Sequence, residues 1–260
     1  MATYNKRGYK TPKEKAETGG EYIEDDVLIE DKDSTTAGVF TKLDESASRT
    51  EEWVAKNQKY ILTFLGIIAL LTVIYVLYQK FVAEPKETEA ANEMFVPQQN
   101  YQQAVDGVKS DSLFALALNG SEGKLGFIQI ADQYSGTDAG NLANYYAGIS
   151  FLHTGKYTEA IKYLDQFKSD DKVLKAMTFG AIGDAFAQKN QLKEALEYYI
   201  KAADVDENEF TRPRYLLKAG QTELTLGNKA DALKHFTEIK EKFEATPEGA
   251  TIDAMIGLAQ

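Results

Sequence analysis

YYAGISFLHTGKYTEAIKYLDQF (145–167), FGAIGDAFAQKNQLKEALEYYIKA (179–202) and LLKAGQTELTLGNKADALKHFTEI (216–239) are three versions of one pattern. Superposed on Gly148, Gly183 and Gly220 without gaps, they bring Gly155, Asn190 and Gly227 into one column. Ala160, Ala195 and Ala232 form a second, and Leu164, Tyr199 and Phe236 a third. Each column has a packing reason. A small residue lets a first helix, A, approach a second, B; glycine or asparagine tolerates the left-handed turn between them; the alanine and the bulky group after it build the seam of helix B.

A repeat of about 34 residues made of two helices is the tetratricopeptide pattern, so the expected fold is all-α, an α-solenoid of three clear repeats. The consensus tryptophan column holds Asn144, Phe179 and Leu216, and the aromatic late in helix A is replaced by Glu223 in the third unit. With a longer loop from Asp204 to Pro213, these departures predict a slightly irregular superhelix. Upstream, KLGFIQIADQY (124–134) followed by Ser135-Gly-Thr reads as the second helix of a degenerate leading repeat. Downstream, Pro247–Gln260 can form the terminal helix that a solenoid needs to cover its last unit.

Further upstream, YILTFLGIIALLTVIYVLY (60–78) carries no charge. At about 1.5 Å per residue it spans most of a hydrocarbon layer of roughly 30 Å, and so reads as a single transmembrane helix. Trp53, Tyr60, Tyr75, Tyr78 and Phe81 flank it as an aromatic belt, with Lys56, Lys59 and Lys80 beyond. Lys42, Arg49, Lys56 and Lys59 before the span outnumber Lys80 and Lys86 after it, which tilts toward a cytoplasmic N-terminus. Ser48-Arg-Thr-Glu51 has capping-box spacing and predicts a helix start near Thr50. The earlier residues mix Lys, Glu, Asp, Thr and Gly without periodicity and read as largely disordered, apart from Val39, Phe40 and Leu43, a candidate docking motif. After the span, Glu84-Pro85 opens a polar helix that Pro97 should kink.

The net charge of −11 makes nucleic acid an unsuitable ligand. With no cysteine and only His153 and His235, no metal site is expected. No P-loop, dinucleotide fingerprint or nucleophile elbow is present, so neither cofactor, small-molecule substrate nor enzymatic activity is expected. The concave groove remains, where helix A side chains meet ligands. Helical spacing places Leu142, Tyr145, Ile149, Leu152 and His153 there in the first unit, Met177, Asp184 and Gln188 in the second, and Arg214, Leu217, Gln221 and Leu224 in the third. The lysine and asparagine clamp that holds a chaperone's C-terminal carboxylate is missing, since the matching positions are Tyr145 and Ile149, Gly180 and Asp184, Leu217 and Gln221. The first unit is aromatic and apolar, suited to an apolar helix or an extended unfolded segment.

Short tail, one span, EAANEMFVPQQNYQQAV (89–105) and YSGTDAGNLANYYAGISFLHTGKYTEAIKYLDQF (134–167) together resemble the YfgM-like proteins, ancillary subunits of the bacterial Sec translocon; LDESASRTEEWVAKNQKYI (43–61) looks like the form in Bacteroidota. The resemblance implies an inner-membrane protein with residues 1–49 as a cytoplasmic tail, 50–82 as the juxtamembrane and membrane-spanning helix, and 83–260 as a periplasmic repeat domain. It also implies pairing with a PpiD-like periplasmic isomerase and chaperone beside SecYEG, and help to exported chains leaving the channel. A cell-envelope scaffold organising division or another secretion assembly is the alternative that the same architecture permits.

Overall fold

The computed structural model describes the backbone of residues 35–107, 111–121 and 123–260, with side chains from Thr50 onward. The chain divides into two compact units, Met1–Ala69 and Leu70–Gln260. In the first, helix α1 (Thr35–Tyr78) starts at Thr35 rather than near Thr50, so Ser48 and Glu51 lie within a helix and do not cap one. The stretch read as disordered is helical from Thr35. Ala37, Leu43, Glu45 and Ala47 are good helix formers, and adding a residue to an existing helix avoids the cost of nucleating a new one. Val39, Phe40 and Leu43 fall on this stretch, and their side chains lie outside the described residues, as does the whole tail before Thr35.

The apolar part of α1 is exposed on all sides: its most apolar window has a mean hydropathy of 2.5 and none of it is buried. Among the described residues this helix, apolar all round, finds no partner face, and it is long and apolar enough to cross a membrane. Leu70–Tyr78 of α1 begin the second unit. After Tyr78 the ladder widens into a π-helical segment, Gln79–Ala83, closed by the Glu84 amide donating to the Gln79 carbonyl. Pro85 follows and has no N–H to offer four residues back, which accounts for the wider register just before it. Helix α2 (Glu84–Glu93) meets α3 (Phe95–Asp106) at Met94. The kink assigned to Pro97 therefore falls three residues upstream, where the proline ring would otherwise meet a helical carbonyl.

Next come α4 (Asp111–Asn119) and the short α5 (Phe127–Gln133), the leading pair. Three repeats follow as α6 (Asp138–His153) with α7 (Tyr157–Gln166), α8 (Lys172–Gln188) with α9 (Leu192–Ala203), and α10 (Arg212–Leu226) with α11 (Lys229–Lys242). A 3₁₀ turn, Gly249–Thr251, leads into α12 (Ile252–Ala259). That last helix buries Ile252 and Ala259 in the cluster holding Phe236, Ile239 and Phe243, the cover anticipated for the final unit.

The repeat columns each have their expected job. Gly155, Asn190 and Gly227 all have positive φ, and Asn190 is the one non-glycine among the described residues to do so. All three turns carry the same pair of hydrogen bonds: Lys156 to Phe151 and Gly155 to Leu152, Gln191 to Phe186 and Asn190 to Ala187, Asn228 to Glu223 and Gly227 to Leu224. These are Schellman closures, which satisfy the last carbonyls of each helix A. The third column packs into the first. A Cβ added at Gly148, Gly183 or Gly220 would lie 2.5, 2.6 or 2.3 Å from Leu164, Tyr199 or Phe236 respectively. Glu223, in the place of an aromatic, is buried and accepts a hydrogen bond from the Asn228 carboxamide at 2.6 Å.

Helix α2 is fixed to the first repeat. The Glu87 carboxylate accepts the amides of Asp138 (2.6 Å) and Ala139 (2.9 Å). Those are free donors at the N-terminus of α6, where the helix dipole favours negative charge. Thr137 caps the same end, its hydroxyl accepting the Gly140 amide, and Ala90 and Met94 enter the core shared with α5 and α6.

Candidate protein-binding groove

The first-repeat residues sit in an aromatic run that extends well outside the repeat. Tyr145 is half-buried against Phe167, with ring centroids 5.2 Å apart, and beside Tyr146 at 5.9 Å. Tyr146 stacks on Phe127 at 5.1 Å and meets Tyr101 edge-on at 5.0 Å. Tyr101 meets Phe114 at 5.9 Å, and His153 stacks on Phe114 at 4.9 Å. Four helices before the second repeat thus contribute rings to one aromatic cluster, in which Phe114 and Phe127 are fully buried. Burial first, and then the neighbouring Tyr145 and Tyr146, push the Tyr101 hydroxyl up to about 12, so it stays a neutral donor. Ile149 and Leu152 pack with Tyr145 against Leu164 and Ile182, and Leu142 packs on the core below.

In the second repeat Met177 is half-buried and Gln188 exposed. Asp184 is already engaged: it pairs with Lys218 of α10 and accepts the Tyr199 hydroxyl at 2.7 Å. Burial, reinforced by the Asp184 carboxylate, holds the Tyr199 hydroxyl far above its ordinary range. Beside it, Tyr215 lies flat in the notch of Gly180, where a Cβ would stand 2.0 Å from its ring. The second and third repeats are therefore clamped together by a carboxylate, an ammonium and two phenols. In the third repeat, Arg214 and Gln221 are exposed, while Leu217 and Leu224 pack partly on the core.

An apolar-floored cleft of about 360 Å³ opens between α7 and α8. Leu164, Phe167, Phe179 and Ile182 form its floor, and Lys168 and Lys175 stand at its rim. Asp165 and Asp170 line it as well, so its rim carries both signs, and its floor suits a partner's apolar side chain. A larger, polar cleft of about 890 Å³ at the α5–α6 and α7–α8 turns is lined by Asp132, Asp138, Asp165 and Asp170. Among the described residues, no three histidine or acidic side chains gather to hold a metal ion.

Sequence reasoning named the helix A positions and missed the groups from other elements that meet them. Tyr101 and Phe114 lie on helices outside the repeat register, so no column pointed to them. Lys218 sits one residue past Leu217, and only the packing of α10 on α8 turns it toward Asp184. Arg212 was missed in the same way. Its guanidinium donates to Glu238 at 2.8 and 2.9 Å and to the Ala203 carbonyl at 3.0 Å, and closes the long loop that follows α9.

Residues 178–209 match the tetratricopeptide repeat family. Among solved structures, the TPR-like repeats of a kinesin light chain from Podosopora anserina are similar at a TM-score of 0.48 and 11% sequence identity, covering 66% of this chain and 85% of that one. No curated protein matches the chain. Residues 178–209 thus match a tetratricopeptide repeat within an all-helical fold, which also has one helix long and apolar enough to cross a membrane.

Proposed function

We propose that this protein is a membrane-anchored binding module of the bacterial Sec translocon, with its N-terminus in the cytoplasm and its solenoid in the periplasm. There it pairs with a PpiD-like chaperone beside SecYEG and receives exported chains as they leave the channel. The observation that carries this reading is the junction at Glu87. A helix that has just left the apolar span is bonded to the first turn of the first repeat, which holds the binding surface close to the membrane. The aromatic first repeat, with its apolar cleft, supports an apolar helix or unfolded segment as the ligand. The lysine excess before the span supports the orientation.

Two experiments test it. The chain lacks native cysteine, so single cysteines at Ala37 and Lys193 report topology directly: an impermeant maleimide applied to intact cells should label only Lys193→Cys. In-cell crosslinking followed by purification in mild detergent should recover SecY with a PpiD-like protein. Recovery of division or other envelope components without SecY would overturn the assignment.

A further inference from the structure

The column that holds Tyr145 in the first repeat and Leu217 in the third is Gly180 in the second, so the middle of the groove has no side chain of its own there. The third repeat fills the gap. Tyr215 enters the notch from α10, where a Cβ at residue 180 would meet the far edge of its ring and its hydroxyl. The residue is only 5% exposed, yet among the described residues its hydroxyl has no hydrogen-bond partner and is not sealed from solvent. A phenol held in this way presents one fixed donor to the groove.

Two further donors stand beside it. Arg214 is exposed and has no ion-pair partner among the described residues; it lies one helical turn before Lys218, on the face of α10 that meets Asp184. Tyr145 is half-buried, and its hydroxyl likewise makes no hydrogen bond among the described residues. Burial pushes the Tyr215 hydroxyl up to about 12; the Arg214 guanidinium draws it down, and Asp184 and Tyr145 push it up. It therefore stays a protonated donor at neutral pH.

Charge selects among ligands. Asp184 and Lys218 offset each other, which leaves the positive charge of Arg214 with two phenolic donors. One carboxylate matches that set in charge and in acceptors. A phosphate monoester brings roughly −1.5 to −2 charges and would leave part of them facing Asp184. A run of acidic residues would also face the net charge of −11 carried by the chain. Partly exposed apolar side chains continue to either side, Ile149 and Leu152 in the first repeat and Leu217 and Leu224 in the third, so the carboxylate belongs inside a segment that runs past the site both ways.

Resting on the reading of the concave face as the surface that takes an unfolded segment, we infer that the groove selects apolar segments carrying one internal acidic side chain, held by Arg214, Tyr145 and Tyr215. The full-length chain in nanodiscs, with empty nanodiscs as the blank, is titrated against fluorescent peptides of Leu, Val, Ser and Thr with an amidated C-terminus. They differ only in a central Glu, Gln or phosphoserine, and a fourth has Gln with a free C-terminal carboxylate. The Glu peptide should bind about tenfold tighter than the amidated Gln peptide, the scale of hydrogen bonding to a charged group. Arg214→Gln should erase that difference. Tyr215→Phe, which keeps the ring in the notch, should weaken binding of the Glu peptide roughly threefold. Lys229→Gln, which removes an exposed cation on α11, should leave the preference intact. Equal binding of the Glu and Gln peptides, or an unchanged preference in Arg214→Gln, would overturn the inference and leave the groove as a ligand surface. So would a phosphoserine peptide or a terminal carboxylate that binds as tightly as the central Glu. If no peptide binds at all, the groove reading itself fails and takes the inference with it.

Discussion

The first and third repeats share one backbone plan and are held by different chemistry. Around α6 the contacts are rings and methyls: Phe127, Tyr146, Tyr101, Phe114 and His153 interlock, and α2 and α3 close over them. Around α10 and α11 the apolar seam is supplemented by ions, with Arg212 on Glu238, Lys218 on Asp184 and Lys240 on Asp253. Ring contacts barely respond to pH or salt, whereas exposed or half-exposed ion pairs do. One solenoid thus has an aromatic end built to keep its shape and a distal end whose grip depends on solution conditions.

The largest expected effect comes from breaking the aromatic end. Phe127 is fully buried between Tyr101 and Tyr146, so Phe127→Ala should cost about 3–5 kcal/mol. Because solenoid repeats interact mainly with their neighbours, hydrogen exchange should rise across α4 to α6 and stay nearly unchanged in α10 and α11. Equal deprotection at both ends would mean that the two regions are one cooperative block and that the contrast is only chemical.

Gly220→Val tests the seam common to both ends. Its side chain would enter the space of the Phe236 ring, an overpacking worth about 1–3 kcal/mol. Thermal unfolding should show a lower midpoint with the loss confined to α10, α11 and α12. This position also marks how far the sequence could be read. The small column, the turn column and the bulky column were legible because each repeats three times and each answers a backbone need: close approach, positive φ, or a filled seam. Contacts made once were not legible. Glu87 reaches α6 from more than one repeat length away, Tyr101 belongs to no column, and the helix before Thr50 extends because the span beside it is already helical. Of the twelve groove positions, those of the first unit lie beside core clusters and the buried Phe114 ring. Asp184, by contrast, is held by Lys218 and Tyr199, a pairing that appears only when α8 and α10 are laid side by side.

Glu87→Gln probes the bond between α2 and α6. The amide keeps an acceptor for the α6 amides but loses the charge that the helix N-terminus favours, an effect of about 0.3–1 kcal/mol. Amide exchange should quicken at Asp138 and Ala139 with little change in the overall midpoint. Glu87→Ala, which removes the acceptor as well, should quicken it further. If neither variant alters exchange there, the carboxylate contributes nothing and α2 is held by Ala90 and Met94 alone.

The smallest effect is the one that separates the two ends by pH. Burial by itself raises the Glu238 carboxyl, but the hydrogen bonds and charge of Arg212 outweigh it, so the group lies below its ordinary value of 4.5. A carboxylate held low when folded favours the folded state at any pH where the unfolded chain has lost that proton, and this advantage disappears as pH falls through the folded value. The distal repeats should therefore be unchanged between pH 7 and 5 and loosen below about 4.5, with exchange rising first in α10 and α11. Glu238→Gln should lower stability at pH 7 and flatten that acid response, since nothing at the position is then left to protonate. Acid loosening that begins instead around Tyr101 and Phe114 would place the pH-sensitive contacts at the aromatic end and reverse the assignment of the two regions.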